Sequence, residues 1–194
     1  MTASDMPRRS DATRAQILRA AQARFAADGF HKATIRAIAA QADIDPSMVM
    51  RYYGNKAKLF AAAVDIDLHL PDLTAIPKRR LGQTLVAHFL DRWEGDPTDD
   101  ALLMLLRSAA TDDLAAKRMR TIFGDQLTPA LLGLIGDPTE AAQRAGLIST
   151  QMLGLALCRN ILRLPPVAGL DPETVVARIG PTIQRYLTAP LQQP

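Results

Sequence analysis

Cysteine, histidine and aromatic residues are scarce in this chain. Its one cysteine, Cys158, excludes an internal disulfide and sits in an apolar run, where a buried thiol is the default. Three scattered histidines and that one thiol give no metal-ligand spacing, so neither a metal nor a cofactor is expected. Aromatic residues make up 5% of the chain against 48% hydrophobic residues overall. Alanine and leucine supply most of the difference, a mixture that favours helix over sheet. Long apolar runs are missing too: the longest uncharged one, 145–158, is shorter than a membrane span and contains Ser149, Thr150 and Gln151. The opening MTASDMPRRS lacks the apolar core of a signal peptide. A soluble, cytoplasmic protein with no membrane partner is expected. No Ser/His/Asp, Cys/His or paired-carboxylate spacing rises above background, so no enzyme is expected either.

What is present is an uneven charge. Residues 1–58 hold ten Lys or Arg against five Asp or Glu, a net +5. Residues 59–194 hold thirteen against fifteen, a net −2. A basic first third on a slightly acidic remainder points to a polyanionic partner for that third alone.

Helical periodicity runs through nearly the whole chain, and no stretch is read as strand-like alternation. The first helix covers 10–28, with Ile17, Leu18, Ala21 and Phe25 as its apolar stripe, and Gly29 stops it. Thr34 caps a second helix over 35–41. After the turn Ala42-Asp43-Ile44, Asp45 is a good N-cap and Pro46 a good first helical residue, so a third helix runs from 46 to about 53. Gly54-Asn55 breaks it, and a fourth helix is expected over 56–70. Pro71 and Pro77 bracket a connector. Beyond it, helices are expected over 78–94, 98–111, 113–135, 138–164 and 172–188, with Pro129 kinking or splitting its own. The expected fold is all-α with about nine helices: a small unit at 10–55, a connecting helix at 56–70, and a larger helical unit at 71–190.

Residues 34–53 have the pattern of a helix-turn-helix, whose second helix enters the major groove of DNA. The positions that must pack inside are apolar: Ile35, Ile38, Ala39, Ile44 and Val49. The outward positions of the second helix are Ser47, Met48, Met50, Arg51 and Tyr52. Methionine and tyrosine facing outward suggest a contact surface rather than a solvated face.

The stretches ILRAAQARFAADGFHKATIRAIAAQADI and VMRYYGNKAKLF carry a more specific likeness. In order and spacing they resemble the DNA-binding domain of the TetR family of bacterial repressors, over residues 14–60. The resemblance implies a helical C-terminal domain that binds a ligand and forms a homodimer on palindromic double-stranded DNA. By position, Thr34 caps the second helix and contacts phosphate, and Arg36 reaches a base edge or remains a surface arginine. Asp45 and Pro46 start the reading helix, and Pro46, Ser47 and Met48 meet bases at its tip. Arg51 reaches a base or phosphate, Tyr52 and Lys56 hold phosphates, and Tyr53 packs inward. Two positions depart from the family pattern. Asp43 stands where a glycine is usual, and Met50 where a tyrosine is usual, which removes a hydroxyl from the contact surface. The tail Pro7-Arg8-Arg9 either adds DNA contacts or only solubilises the chain.

TetR relatives usually hold an inducer between the fourth and eighth helices. The corresponding candidates here are His88, Phe89, Trp93, Leu103, Met104, Arg107, Phe123 and Met152, for a small apolar or mildly polar effector. Arg107 is the charged exception in an apolar helix, so it pairs with Asp112, Asp113 or Glu94, or else meets a ligand. The family's dimer interface maps onto Ala145, Ser149, Met152, Leu153, Ala156, Ile179, Ile183 and Tyr186. The chief alternative to a specific regulator is an architectural protein that binds DNA without sequence preference.

Overall fold

Helix caps set the boundaries of the N-terminal part. A computed structural model describes residues 9–94 and 101–190; among them are ten α-helices and no strand. The tail at Pro7-Arg8 and the first residues expected for the 98–111 helix lie outside the described residues, and nothing is described of the Arg9 side chain. Helix α1, Arg9–Lys32, leaves helical geometry at Gly29 (φ 72°, ψ 169°) and then adds a last turn. Glycine there interrupts the helix rather than ending it, because only a residue without Cβ adopts that angle freely. Helix α2, Ile35–Gln41, begins where the Thr34 side chain accepts the Ala37 N–H at 3.1 Å. Helix α3, Pro46–Tyr53, begins where Asp45 accepts the Ser47 N–H at 2.8 Å. Between them Asp43 takes a left-handed conformation, φ 49°, so aspartate fills the usual glycine position of the turn. Helix α4, Lys56–Ala63, is capped by Asn55, which accepts the Lys58 N–H at 2.8 Å. Ile17, Ala21, Phe25, Ile38, Val49, Leu59 and Phe60 lock these four helices together as a shared core.

The fourth helix is shorter than its sequence suggests. It ends at Ala63, and the chain through 65–72 is neither helix nor strand. Burial there alternates: Val64, Ile66 and Leu68 are buried, whereas Asp65, Asp67 and His69 are exposed. The sequence VDIDLHL shows that period of two, and the reading of uninterrupted helix passed over it. A helix through these residues would put acid and apolar side chains on every face, which explains its early end.

The remaining helices are α5 (Leu81–Glu94), α6 (Ala101–Ala109), α7 (Asp113–Ile135), α8 (Pro138–Ala156), α9 (Pro165–Ala168) and α10 (Pro172–Thr188). Short 3₁₀ turns at Leu73–Ala75 and Lys78–Arg80 lead into α5. Pro129 does not split α7, which continues to Ile135; the proline and Asp125, whose carbonyl it frees, are both exposed to water. Helix α8 stops at Ala156 rather than 164. A π-turn over Leu157–Ile161 follows, closed by the Leu162 N–H donating to the Leu157 carbonyl at 2.8 Å. Cys158 in this turn is half-buried rather than buried.

Helix α10 lies along α5, α7 packs on α6 and α8, and α1 touches both α4 and α6. The α5–α10 contact depends on Gly82: a Cβ built there would stand 2.3 Å from the Gly180 carbonyl oxygen and 2.5 Å from the Gln184 nitrogen. Buried Arg144 on α8 donates to Glu140 and to the carbonyls of Tyr186 and Ala189, fastening the end of α10.

Candidate nucleic-acid interface and regulatory cavity

The two helices of the reading unit turn one face inward and one outward. Ile38, Ala39 and Val49 are buried. Thr34, Arg36, Asp45, Ser47, Met50 and Arg51 are exposed, while Pro46, Met48 and Tyr52 are half-buried. Hydrogen bonds from Ser47, its hydroxyl and its backbone N–H, hold the Asp45 carboxyl below the usual carboxylate range. Asp45 is therefore an acceptor only, suited to a base amino group and not to a phosphate. Met50 is 45% exposed, so its thioether offers the surroundings an apolar surface at the position where a hydroxyl is usual.

The paired tyrosines share their surroundings more than the sequence implies. Both are half-buried against the core. The Arg14 guanidinium sits 5.3 Å from the centre of the Tyr52 ring and orients it. The Tyr53 hydroxyl donates to the Arg14 carbonyl at 3.2 Å. Burial pushes the Tyr53 phenol up, against the opposing pull of the Arg14 charge.

Lys56 turns away from its expected role. Its ammonium donates to the carbonyls of Phe30 (2.8 Å), His31 (3.2 Å) and Ala33 (3.1 Å), and lies 4.6 Å from the centre of the Phe30 ring. All three donors are engaged inside the chain, so the phosphate contact expected of the Lys56 side chain is not available in this arrangement. The physical reason is the broken end of α1, whose last carbonyls lack helical partners and carry the negative end of the helix dipole.

A narrow cavity of about 40 Å³ lies among α5, α7, α8 and the segment after α4. The expected residues His88, Phe89, Trp93, Phe123 and Met152 line it. So do Leu85, Arg92, Leu127 and Ile148, together with Leu68 and Leu70 from the segment after α4. Leu103, Met104 and Arg107 do not. Met104 is buried in the core, Leu103 is half-buried on α6, and Arg107 is exposed in a shallow surface depression beside His31 and Asp112. Two of the acids expected to pair with Arg107 are engaged elsewhere. Asp112 caps α7 and meets His31 Nε2 at 2.9 Å, and Glu94 pairs with Arg159 at 2.5 Å.

Four residues expected at the dimer interface, Ala145, Met152 and Ala156 on α8 and Ile183 on α10, are buried within the chain. They face α5, α7 and α10 because their spacing follows the inner side of the bundle. Ser149, Leu153, Ile179 and Tyr186 are half-buried at the edges. The outer side of α8 exposes Gly146, Leu147, Thr150 and Gly154, and Leu157 continues it into the π-turn.

Among the described residues, no helix is long and apolar enough to cross a membrane, and no cluster of His, Cys, Asp or Glu is placed to hold a metal. A helix-turn-helix head on a helical body defines a class of DNA-binding regulators, and sequence comparison places the chain within it. Residues 17–63 match the family described as "Bacterial regulatory proteins, tetR family". Residues 80–187, more than half the chain, match "Tetracyclin repressor-like, C-terminal domain". The chain belongs to the TetR family of transcriptional regulators. A crystal structure of a TetR-family regulator (SCO0857) from Streptomyces coelicolor is 30% identical, with 95% of this chain and 99% of that one covered at a TM-score of 0.67. NalD of Pseudomonas aeruginosa, the secondary repressor of the MexAB-OprM multidrug efflux pump, has the same fold at 22% identity, with 91% and 97% covered and a TM-score of 0.69. Over 55 residues the chain is 44% identical to the HTH-type transcriptional repressor SCO4008 of Streptomyces coelicolor, a match covering 28% of this chain and 29% of that protein.

Proposed function

We propose that this regulator is a homodimeric repressor that reads a palindromic operator through α3 and releases it when a small, largely apolar effector occupies the cavity. The exposed set Arg36, Ser47, Met50 and Arg51 on a buried, cap-defined frame carries this reading. Such a surface offers a bidentate donor, a hydroxyl and an apolar contact to base edges. A two-fold dimer fits this reading, since one short reading helix gives little specificity and a second copy doubles the contacts. The relatives described as repressors favour repression over activation.

The test is binding to the DNA upstream of the protein's own gene, at two salt concentrations and with random competitor. Preference for that DNA at physiological salt is expected. Arg36→Ala should cost about 1–3 kcal/mol at the cognate site and relax the preference. Equal affinity for all sequences, falling steeply with salt, is instead the signature of an architectural binder.

A further inference from the structure

The segment 64–70 joins the reading head to the body, and it has no neighbouring strand to satisfy its backbone. Side chains do so instead. Arg118 Nε donates to the Val64 carbonyl at 3.1 Å. Gln126 donates to the Ile66 carbonyl at 2.8 Å and accepts the Leu68 N–H at 2.7 Å. Arg92 Nε donates to the Asp67 carbonyl at 3.1 Å, and His88 Nε2 to the Leu68 carbonyl at 2.8 Å. Two of these clamps, His88 and Arg92, also line the cavity, and Leu68 forms part of its wall. The segment that joins the head is thus held in part by the cavity's own polar groups.

The cavity offers about 40 Å³. A ligand pocket of ordinary size is roughly ten times larger, so an occupant must displace part of the wall, and the segment 64–70 is the part without secondary structure. The rest of the lining is apolar, which disfavours a charged occupant. His88 Nε2 bears the hydrogen, because its partner is a carbonyl that can only accept.

We propose that the cavity takes a small, uncharged, apolar molecule with one hydrogen-bond acceptor, and that this acceptor captures the His88 Nε2–H from the Leu68 carbonyl and loosens 64–70. The exchange trades one acceptor for another at His88, while the released carbonyl turns to water. Its consequence for DNA rests on the repressor reading above; the exchange itself does not.

Hydrogen exchange on the full chain tests this, with cyclohexanone and methylenecyclohexane as probes. The two have nearly the same shape, and only the ketone has a strong acceptor. Trp93, the single tryptophan, lines the cavity and reports occupancy by its fluorescence. Cyclohexanone should perturb Trp93 and raise amide exchange in 64–70 about tenfold, whereas methylenecyclohexane should leave that exchange unchanged. His88→Phe should raise the same exchange without any probe and abolish the further response to ketone; His88→Gln, which keeps a donor, should restore protection. Equal responses to the two probes, a silent Trp93 with ketone, or unchanged exchange in a folded His88→Phe protein overturns the proposal. If an effector releases operator DNA while 64–70 stays protected, the acceptor swap at His88 is wrong and the repressor reading stands. If ketone loosens 64–70 in a protein without operator preference, the swap stands and the repressor reading falls.

Discussion

At Lys56, one ammonium meets three carbonyls at the frayed end of α1 and lies against the Phe30 ring. Hydrogen bonds from a charged donor are worth more than neutral ones, and removing the lysine leaves the Phe30 and Ala33 carbonyls without this partner. Lys56→Met should therefore lower stability by about 2 kcal/mol. Lys58→Met, at an exposed neighbour, should change stability by less than about 0.5 kcal/mol. Thermal melts of the two variants check this; similar losses from both would show that charge alone, and not the clasp, is at work. Sequence could place Lys56 at the start of α4 but not aim its side chain. The carbonyls that attract it become available only through the φ of 72° at Gly29, a tertiary detail. Asp43 is the opposite case, because the left-handed turn expected of it depends on local chemistry and appears at φ 49°.

Helix starts were readable because their caps are local. Thr34, Asp45 and Pro46 each perform at short range the job their residue type suggests. Helix ends were less readable. The end of α4 was marked by the alternation in VDIDLHL, which a search for helical period alone does not register. The closeness of α5 and α10 was not legible either, since Gly82 carries no local signal of what faces it. Gly82→Ala would force a methyl into the backbone of α10. It should cost about 2 kcal/mol or more through overpacking. Gly124→Ala on α7 meets nothing within 4 Å and should gain about 0.5–1 kcal/mol from helix preference. Denaturant titration of the pair gives the contrast, and a neutral Gly82→Ala would mean that the two helices can separate without loss.

Across the whole molecule, several leucines remain uncovered: Leu147 and Leu157 along α8 and its π-turn, and Leu162, Leu164 and Leu170 in the loops beside it. Arg159 holds this corner in shape by pairing with Glu94 and donating to the Val167 and Leu170 carbonyls. An exposed apolar face of this kind suits a second copy of the chain. Its outward position differs from that of the buried residues expected at the interface: the small residues of α8 lie on two sides, and periodicity alone does not say which side faces α7. If this face joins two copies, Leu147→Glu should weaken dimerisation by about 3 kcal/mol, roughly a hundredfold, because each copy would bury an unpaired carboxylate. Sedimentation velocity against concentration measures this, and an unchanged dimer would place the interface elsewhere.

The short α4 has a mechanical consequence. A continuous helix is stiff and carries bending and torque from one end to the other. A segment such as 65–72, once its side-chain clamps open, carries torque less well than a helix does. Release at 64–70 would therefore loosen one of the ties on the head, while α1 still packs against α6 and His31 still meets Asp112. In the proposed dimer, the two reading helices would then hold their spacing less firmly.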